Sequence, residues 1–403
     1  MNPNLDHLHP YPFEKLNALK QGCTPPQDTA QVLLSVGEPR HPPPEFVLEA
    51  LAANLEQIST YPSTRGSEAF RVAVASWLNQ RFALSGGKID PEKNILPVNG
   101  TREALFAIAQ CVLDSTRSND QVLMPNPFYQ IYEGAAALAG LKAAFYNTDA
   151  NSQYAPDFDC ISDAEWDRCQ LLYLCTPANP SGHVLESSQL QQLVERAHRH
   201  NFVIASDECY SEIYFDEASP PCGLLQACSD MAVDDFSQCV VFHSLSKRSN
   251  LPGLRSGFVA GDSKIIDQFL RYRTYHGCAM SQLVQNASTL AWQDESHVVE
   301  NRQRYRDKFS AVLPILDGVE GIKVHAPQAS FYLWPELAVD DEKFTQTLYN
   351  EHNITVLPGR YLARNANGAN PGENHIRIAL VAELESCIDA ATRIRQTLEK
   401  HIA

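Results

Sequence analysis

The 403-residue sequence has no apolar run of the roughly 20 residues that a membrane-spanning helix needs. Neither the basic start nor the apolar stretch of a secretory signal is present in its first residues, MNPNLDHLHPYPFEKL. The 11 cysteines are an odd number, and no two are spaced C-x-x-C. We therefore predict a cytoplasmic protein with reduced cysteines rather than a membrane protein, a disulfide framework or a metal site.

Basic residues are scarce as well: 32 Lys and Arg stand against 48 Asp and Glu, which gives a net charge of −16. A chain this acidic repels nucleic acids and anionic membranes, so we expect neither as a partner. A small anion would have to be held by a local cluster of arginines and backbone N–H groups, against the overall field. Such a cluster would mark a binding site.

Length and pattern together predict two domains. A chain of 403 residues is too long for one compact core. Short apolar strands alternate with helical stretches up to about residue 280, which predicts an α/β domain whose mostly parallel sheet is sandwiched by helices. The later pattern predicts a smaller α+β domain. We place the large domain at 45–285, and the small domain at 286–403 together with a Pro-rich, irregular arm at 1–44.

Apolar runs predict the strands of the large domain at 95–98, 122–124, 141–146, 171–174, 202–205, 240–242 and 256–260. In the small domain we predict one long helical stretch over 282–316 and a strand pair formed by 322–324 and 330–334. Ligands of open α/β sheets collect beyond the carboxyl ends of the strands. The residues that follow each strand are therefore the candidates for chemistry.

Three of these strand ends carry patterns that are weak when taken alone. The first strand runs into Asn99-Gly100-Thr101-Arg102, where N–H groups and a hydroxyl could bind an anion, although Thr101 could equally be a helix cap. Tyr129 follows the second strand and could stack on a flat ring or be an ordinary half-buried aromatic. Asn179-Pro180-Ser181-Gly182 could present the Asn179 amide or simply form a turn.

Two acidic residues, Asp207 and Glu208, follow the fully apolar strand 202–205. One of them must face the crevice, where a carboxylate costs several kcal/mol unless it meets a cation. A protonated pyridine nitrogen is such a cation, and a structural ion pair is the alternative. The pattern thus allows a ring-binding carboxylate.

The strand at 240–242 leads into His243-Ser244-Leu245-Ser246-Lys247, and Arg255 follows shortly after. Serines and an arginine suit a phosphate group, which an arginine can bind in a fork. A lysine beside a phosphate site is what a Schiff-base cofactor needs, whereas a solvated surface lysine is the alternative. Because all these patterns directly follow strands, together they favour a cofactor site.

These segments resemble the aspartate-aminotransferase type of class I/II aminotransferases, which have fold type I and use pyridoxal 5′-phosphate (PLP). The likeness covers nearly the whole chain. Its most specific segments are Ser244-Leu245-Ser246-Lys247 with Arg255, Asn179-Pro180-x-Gly182, Asp207-x-x-Tyr210 and Asn374-His375-Ile376-Arg377. The resemblance implies a large PLP-binding domain, amino-acid and 2-oxoacid substrates, and a homodimer with shared active sites.

The resemblance also implies a role for each candidate residue. Lys247 would hold the cofactor covalently, Asp207 would pair with its ring nitrogen and Tyr129 would stack on its ring. Tyr210 and Asn179 would hydrogen-bond the ring O3′. The implied phosphate ligands are Gly100, Thr101, Ser244, Ser246, Arg255 and, from the neighbouring subunit, Tyr61. The implied ligands of the substrate α-carboxylate are Arg377, Asn179 and Gly37.

Proton transfer sets an independent requirement. Lys247 must be a neutral amine to abstract the substrate Cα proton, whereas a free lysine has a pKa of about 10.4. The site must therefore lower the pKa of Lys247, through burial and neighbouring cations.

The segments 36–44, 61–66, 99–103 and 272–277 resemble the proteobacterial N-succinyldiaminopimelate aminotransferases of lysine biosynthesis, with glutamate and 2-oxoglutarate as the implied partner pair. A substrate with several carboxylates needs further cations, and the candidates are Arg40, Arg102 and Arg273, each of which could instead form a surface salt bridge. Three alternatives stay open: an aminotransferase for aspartate or acetylornithine, a PLP-dependent C–S lyase, and a binding protein on a decayed enzyme scaffold. Intact Lys247, Asp207 and Arg377 argue against the last.

Overall fold

A computed structural model describes residues 1–84 and 89–401 of the chain. The helices of these ranges are α1 (Pro12–Leu19), α2 (Glu45–Ala52), α3 (Glu68–Arg81), α4 (Thr101–Val112), α5 (Ile131–Leu138), α6 (Asp163–Trp166), α7 (Ser187–His200), α8 (Leu224–Asp230), α9 (Leu245–Arg248), α10 (Ser263–His276), α11 (Gln282–Gln293), α12 (Ser296–Leu316), α13 (Asp341–His352) and α14 (Leu384–His401). Within the same ranges, no helix is both long and apolar enough to cross a membrane.

The strands alternate with these helices in the first two thirds of the chain. They are β1 (Val32–Leu33), β2 (Ile95–Val98), β3 (Gln121–Asn126), β4 (Lys142–Asn147), β5 (Cys169–Cys175), β6 (Val203–Asp207), β7 (Cys239–Ser244), β8 (Gly257–Gly261), β9 (Ile322–Lys323), β10 (Tyr332–Leu333), β11 (Glu336–Leu337), β12 (Ile354–Thr355), β13 (Leu357–Pro358) and β14 (Ile376–Ala379).

Seven strands form the central sheet, in the order β2-β8-β7-β6-β5-β3-β4. Neighbours from β7 to β4 pair in parallel, and β8 runs antiparallel to both β7 and β2. Strands buried on both faces are apolar along their whole length, which is why the sequence marks them so clearly. The predicted α/β class with a mostly parallel sheet is confirmed.

Helices cover both faces of this sheet. Along β5, Leu172 and Leu174 pack with α3, α7, α8 and α11 on one face. Leu171 and Tyr173, which alternate with them, pack with α4, α5 and α10 on the other face. Because β5, β6 and β7 run in parallel and α4 follows β2 directly, the amino end of α4 and the carboxyl ends of these strands lie at one edge, where the candidate residues are.

The last third of the chain packs around a separate apolar cluster. It joins α12, α13 and α14 to the small sheet of β10, β14 and β13. The N-terminal arm takes part, because β1 pairs in parallel with β12 and Leu34 belongs to the same cluster. The predicted boundary at residue 285 falls inside α11. Ala287 and Trp292 of this helix pack in the apolar core on one face of the central sheet. The division into two domains stays a prediction.

Three predictions for these regions need correction. The arm is not wholly irregular, since α1 begins at Pro12, a residue that fits the first turn of a helix. The helical stretch 282–316 is two helices, separated at Asp294, whose carboxylate accepts a hydrogen bond from the His297 N–H at 3.1 Å.

The predicted pairing of 322–324 with 330–334 is wrong. The strand β9 pairs with β11, and β10 pairs with β14. The segment between β9 and β10 contacts loops of the central sheet instead of forming a hairpin turn. The Ala329 N–H donates to the Gly182 carbonyl at 3.2 Å, and the Ser330 N–H donates to the Ile213 carbonyl at 2.7 Å.

Candidate active site

A cavity of about 390 Å³ lies at the carboxyl ends of the central strands. The predicted residues that line it are Gly37, Thr101, Arg102, Tyr129, Asn179, Asp207, Tyr210, Ser244, Ser246, Lys247, Arg255 and Arg377. They come from segments that are far apart in the sequence, and the sheet brings them together. The functional roles that we predicted for them stay predictions.

Lys247 stands on the short helix α9, directly after β7. The hydroxyl oxygen of Ser244 accepts the Ser246 N–H at 2.9 Å and so caps the start of this helix. The Lys247 ammonium donates to the carbonyl oxygen of Gly37 in the N-terminal arm. Burial lowers the pKa of Lys247 to about 8, and Arg377 and Arg255 act in the same direction. A neutral amine is therefore accessible close to neutral pH.

Of the two adjacent acids, Asp207 faces the cavity and Glu208 does not. Glu208 lies on the opposite side of the strand, 3.2 Å from the His243 ring nitrogen. Asp207 is 4% exposed and accepts hydrogen bonds from the Tyr132 hydroxyl at 2.8 Å and the Cys209 N–H at 3.3 Å.

Burial raises the pKa of Asp207, and these hydrogen bonds offset the effect only in part. No Lys, Arg or His in residues 1–84 and 89–401 forms an ion pair with it. A buried carboxylate in this state is stabilised by any cation brought next to it.

Four cavity-lining residues form a cluster suited to an anion: Thr101, Ser244, Ser246 and Arg255. The amino end of α4 begins at Thr101, and its backbone N–H groups favour negative charge. Gly100 precedes it with a φ of 83°, and a Cβ there would collide with the Arg255 guanidinium. The site therefore needs glycine at position 100, both for the backbone and for the arginine.

Arg377 is 5% exposed and has no carboxylate partner in the part of the chain that the structure describes. Its guanidinium donates to the Asn179 side-chain oxygen at 3.1 Å and to the Ser35 carbonyl at 2.8 Å. It lies 4.6 Å above the Tyr332 ring, and its Nε has no hydrogen-bond partner. An oriented, unneutralised guanidinium of this kind suits a carboxylate ligand.

The three arginines predicted for a distal carboxylate lie in different environments. Arg102 lines the cavity, and its guanidinium lies 5.2 Å from the Tyr11 ring. Arg273 is 1% exposed and is paired with Glu103 at 2.8 Å. Arg40 is exposed and does not line the cavity. Tyr61, predicted to reach a neighbouring subunit, is fully exposed in the single chain.

Sequence reasoning missed several residues of this site. Tyr11, Pro12 and Phe13 line the cavity, although Gly37 and Arg40 were the only residues of the arm that the sequence indicated as candidates. Tyr332 also lines it, with its hydroxyl 3.1 Å from that of Tyr210. An aromatic next to prolines in the arm was the one available signal, since these residues do not follow a strand of the large sheet.

The residues present fit pyridoxal 5′-phosphate. The buried carboxylate of Asp207 lacks a cation, and a pyridine N–H would supply one. The buried amine of Lys247 has a lowered pKa, and a hydroxyl and guanidinium cluster that suits a phosphate lines the same cavity.

Comparison with known proteins gives consistent matches over almost the whole chain. The family model described as aminotransferase class I and II matches residues 29–393. An LL-diaminopimelate aminotransferase from Maridesulfovibrio salexigens is 31% identical over 396 residues, which are 96% of this chain and 96% of that protein.

Solved structures match equally widely. An aminotransferase from Neisseria meningitidis has a TM-score of 0.93 and 46% identity, covering 98% of this chain and 99% of its own. A probable N-succinyldiaminopimelate aminotransferase from Thermus thermophilus has a TM-score of 0.84 and 26% identity, covering 96% and 100%.

Proposed function

The chain belongs to the class I and II aminotransferases, a PLP-dependent family, and we propose that its amino donor is N-succinyl-L,L-2,6-diaminopimelate and its acceptor 2-oxoglutarate. Family membership, as predicted from the sequence, makes it an enzyme that transfers an amino group between an amino acid and a 2-oxoacid. One relative is named as an LL-diaminopimelate aminotransferase and a solved structure as a probable N-succinyldiaminopimelate aminotransferase, and on that basis we propose a role in diaminopimelate and lysine biosynthesis.

When bound, PLP supplies an aldehyde that condenses with amines and a ring that accepts electrons from the substrate Cα. Lys247 would hold the cofactor, and once a substrate amine has displaced it, its neutral amine would take the proton from the substrate Cα. Asp207 would keep the ring nitrogen protonated, Tyr129 would pack on the ring, and Tyr210 with Asn179 would hydrogen-bond the ring hydroxyl; of these residues the structure shows that all four line the cavity. Gly100, Thr101, Ser244, Ser246 and Arg255 would hold its phosphate.

Arg377 orients the substrate by its α-carboxylate. The Asn179 and Ser35 contacts fix the guanidinium plane, so a carboxylate meets a fork that is already in place. Gly37 lets the backbone of the arm come close, because any side chain there would collide with Tyr332. This arrangement directs the Cα toward the lysine side of the cavity.

One observation carries the proposal for a long substrate. A second cavity of about 190 Å³ adjoins the first, and the two share Tyr11, Arg102 and Gln130 as lining residues. Arg377 lines only the first cavity and Arg102 lies where the two cavities meet, so a guanidinium other than Arg377 is available to a second carboxylate. A long substrate that carries a second carboxylate beyond its α-carboxylate suits this arrangement.

The charge of the second cavity favours the succinylated form. Its one acidic lining residue in the described chain is Glu133, which Arg364 neutralises through two bonds of 2.9 and 2.6 Å. The distal ammonium of unsubstituted diaminopimelate would thus find no free carboxylate, whereas a succinyl carboxylate meets Arg102. LL-diaminopimelate is the second candidate, because the relative from Maridesulfovibrio salexigens is named for it.

We also propose a homodimer with shared active sites. Large apolar side chains are exposed along α2 and the turn after it: Leu48, Leu55, Ile58 and Tyr61. An exposed apolar patch of this kind is typical of a subunit interface. The patch includes Tyr61, whose hydroxyl we assign to the phosphate of the neighbouring subunit's cofactor.

The substrate is tested by steady-state kinetics of the PLP-loaded enzyme with 2-oxoglutarate. The donors compared are N-succinyl-L,L-diaminopimelate, LL-diaminopimelate, aspartate and N-acetylornithine. We expect the succinylated donor to have the highest kcat/KM. A better result with any other donor would replace it, and an oxoacid product formed without 2-oxoglutarate would indicate a lyase.

Arg102→Gln provides the matched test of the distal end. We expect a loss of about tenfold to 150-fold in kcat/KM for the succinylated donor, which is the value of one charge-assisted hydrogen bond. Alanine, which has no distal carboxylate, should lose much less. The control is Arg117→Gln, which removes the same charge at an exposed site outside both cavities. Equal losses for both donors would refute the role of Arg102.

A further inference from the structure

A hydrogen-bond chain outside the cavity ends on the backbone of Lys247. The helix α9 has only four residues, so its final carbonyl groups have no partner within the helix. Asn301 of α12 supplies one: its side-chain NH₂ donates to the Lys247 carbonyl at 3.1 Å and to the Arg248 carbonyl at 3.3 Å. A residue 54 positions away thus caps the lysine-bearing helix.

The orientation of the Asn301 amide is set by His41. The His41 Nδ1 lies 2.8 Å from the Asn301 Oδ1, and the Lys308 Nζ lies 2.7 Å from the His41 Nε2. An ammonium can only donate, so the His41 Nε2 accepts and its Nδ1 carries the proton that goes to Asn301. All donors therefore point the same way, from Lys308 toward Lys247.

Lys308 is an unusual residue to find in this place. It is 3% exposed and has no ion pair within the described ranges of the chain, although it lies 5.2 Å from the Tyr305 ring. Burial lowers its pKa, and burial also lowers the pKa of His41 to about 4. The other charged groups that face the pair, Arg304 and Glu383, have opposite signs. A buried cation without a counterion destabilises the fold, which favours a functional reason for it.

We propose that Lys308, His41 and Asn301 are positioning residues that fix the location of Lys247, an inference that rests on the catalytic role proposed for that lysine. The arm holds both ends of the lysine. The Gly37 carbonyl accepts from the Lys247 amine, and His41, four residues later, holds its backbone through Asn301. We call the hydrogen-bond chain from Lys308 through His41 and Asn301 the relay. Its loss loosens the Lys247 amine without removing any group that touches the substrate.

Two isosteric substitutions separate this role from general packing. In His41→Asn the amide nitrogen can replace Nδ1, so the hydrogen bond to Asn301 is kept and the contact to Lys308 is lost. In His41→Gln the amide oxygen can replace Nε2, so the contact to Lys308 is kept and the hydrogen bond to Asn301 is lost. We expect kcat of His41→Asn to stay close to that of the parent, and kcat of His41→Gln to fall about tenfold. A packing role predicts equal losses, because each variant keeps one of the two hydrogen bonds.

Lys308→Met provides an independent test. Removing a buried, unpaired cation should leave the melting temperature unchanged or raise it. Under the proposal kcat nevertheless falls about tenfold, since His41 is then free to adopt the other tautomer. A variant that keeps both stability and kcat would overturn the relay, and so would one in which the two fall together.

A second readout does not depend on turnover. The rate at which the cofactor-free protein takes up PLP, followed by visible absorbance against pH, reports the pKa of the Lys247 amine. We expect its midpoint, about 8 in the parent, to rise in His41→Gln and Lys308→Met, because a loosely held amine is better hydrated. An unchanged midpoint in both variants contradicts the relay. Failure of the parent itself to take up PLP would instead contradict the proposed function.

Discussion

Substitution of Arg377 tests the substrate-orienting part of the site most directly. Its guanidinium is held by Asn179 and Ser35, and in residues 1–84 and 89–401 no carboxylate neutralises it. Every amino acid and every 2-oxoacid substrate carries the α-carboxylate that we assign to it. Arg377→Ala should therefore lower kcat/KM for all substrates by a similar factor. The cofactor should stay bound, because the groups assigned to PLP remain.

The expected size follows from the geometry of the fork. A bidentate contact comprises two charge-assisted hydrogen bonds of about 1.5–3 kcal/mol each, so about 3–6 kcal/mol is lost. At about 1.4 kcal/mol per factor of ten, kcat/KM should fall by about 10² to 10⁴. Arg377→Lys keeps the charge but loses the planar fork, and we expect a value between those of Arg377→Ala and the parent.

The assay compares kcat/KM for one donor with a distal carboxylate and one without, together with PLP affinity measured by absorbance titration. Equal fractional losses for both donors, with PLP affinity unchanged, are expected. The assignment is refuted if only the donor with the distal carboxylate suffers, since Arg377 would then bind the distal group. It is also refuted if Arg377→Lys equals the parent, because charge alone would then suffice.

Three further predictions concern the cofactor site. Lys247→Ala should abolish both turnover and the visible absorbance of covalently held PLP, and a retained band would assign the link to another lysine. Burial lowers the pKa of Lys247 to about 8, and only the neutral amine attacks an aldehyde. PLP uptake by the cofactor-free parent should therefore accelerate as pH rises through 8 and level off above it. A midpoint near the free-lysine value of about 10.4 would refute the argument that burial lowers this pKa. Tyr132→Phe removes a hydrogen bond to Asp207, so the Asp207 pKa should rise further and PLP affinity fall about tenfold; unchanged affinity would show that Asp207 does not depend on this contact.

Most of the central sheet could be predicted from the sequence because its strands, apart from the edge strand β4, are buried on both faces. Each then appears as an apolar run closed by turn residues, and the chemistry follows directly at its end. Which of Asp207 and Glu208 faces the cavity follows from the alternation of side chains along β6. Ala205 packs on the face covered by α4, and Asp207, two residues later, shares that face.

Other parts of the site depend on contacts that no local sequence pattern predicts. Tyr132 is the second residue of α5, and its spacing predicts only a core aromatic. The pairing of Arg273 with Glu103 joins residues 170 positions apart, so the sequence could not separate it from Arg102 as a ligand candidate. The same limit applies to Asn301, whose function becomes visible only once α12 lies beside α9.

The reversed direction of β8 limits how this site can change over time. Since β8 runs antiparallel to β7, with Ser244 opposite Gly257, the chain returns to the same sheet edge after one connecting loop. That connection, which includes α9, holds both Lys247 and Arg255, so the proposed covalent anchor and the proposed phosphate-binding guanidinium are encoded within nine consecutive codons. Insertions elsewhere in the gene leave their separation untouched, whereas a single inserted residue between them would misalign the two at once.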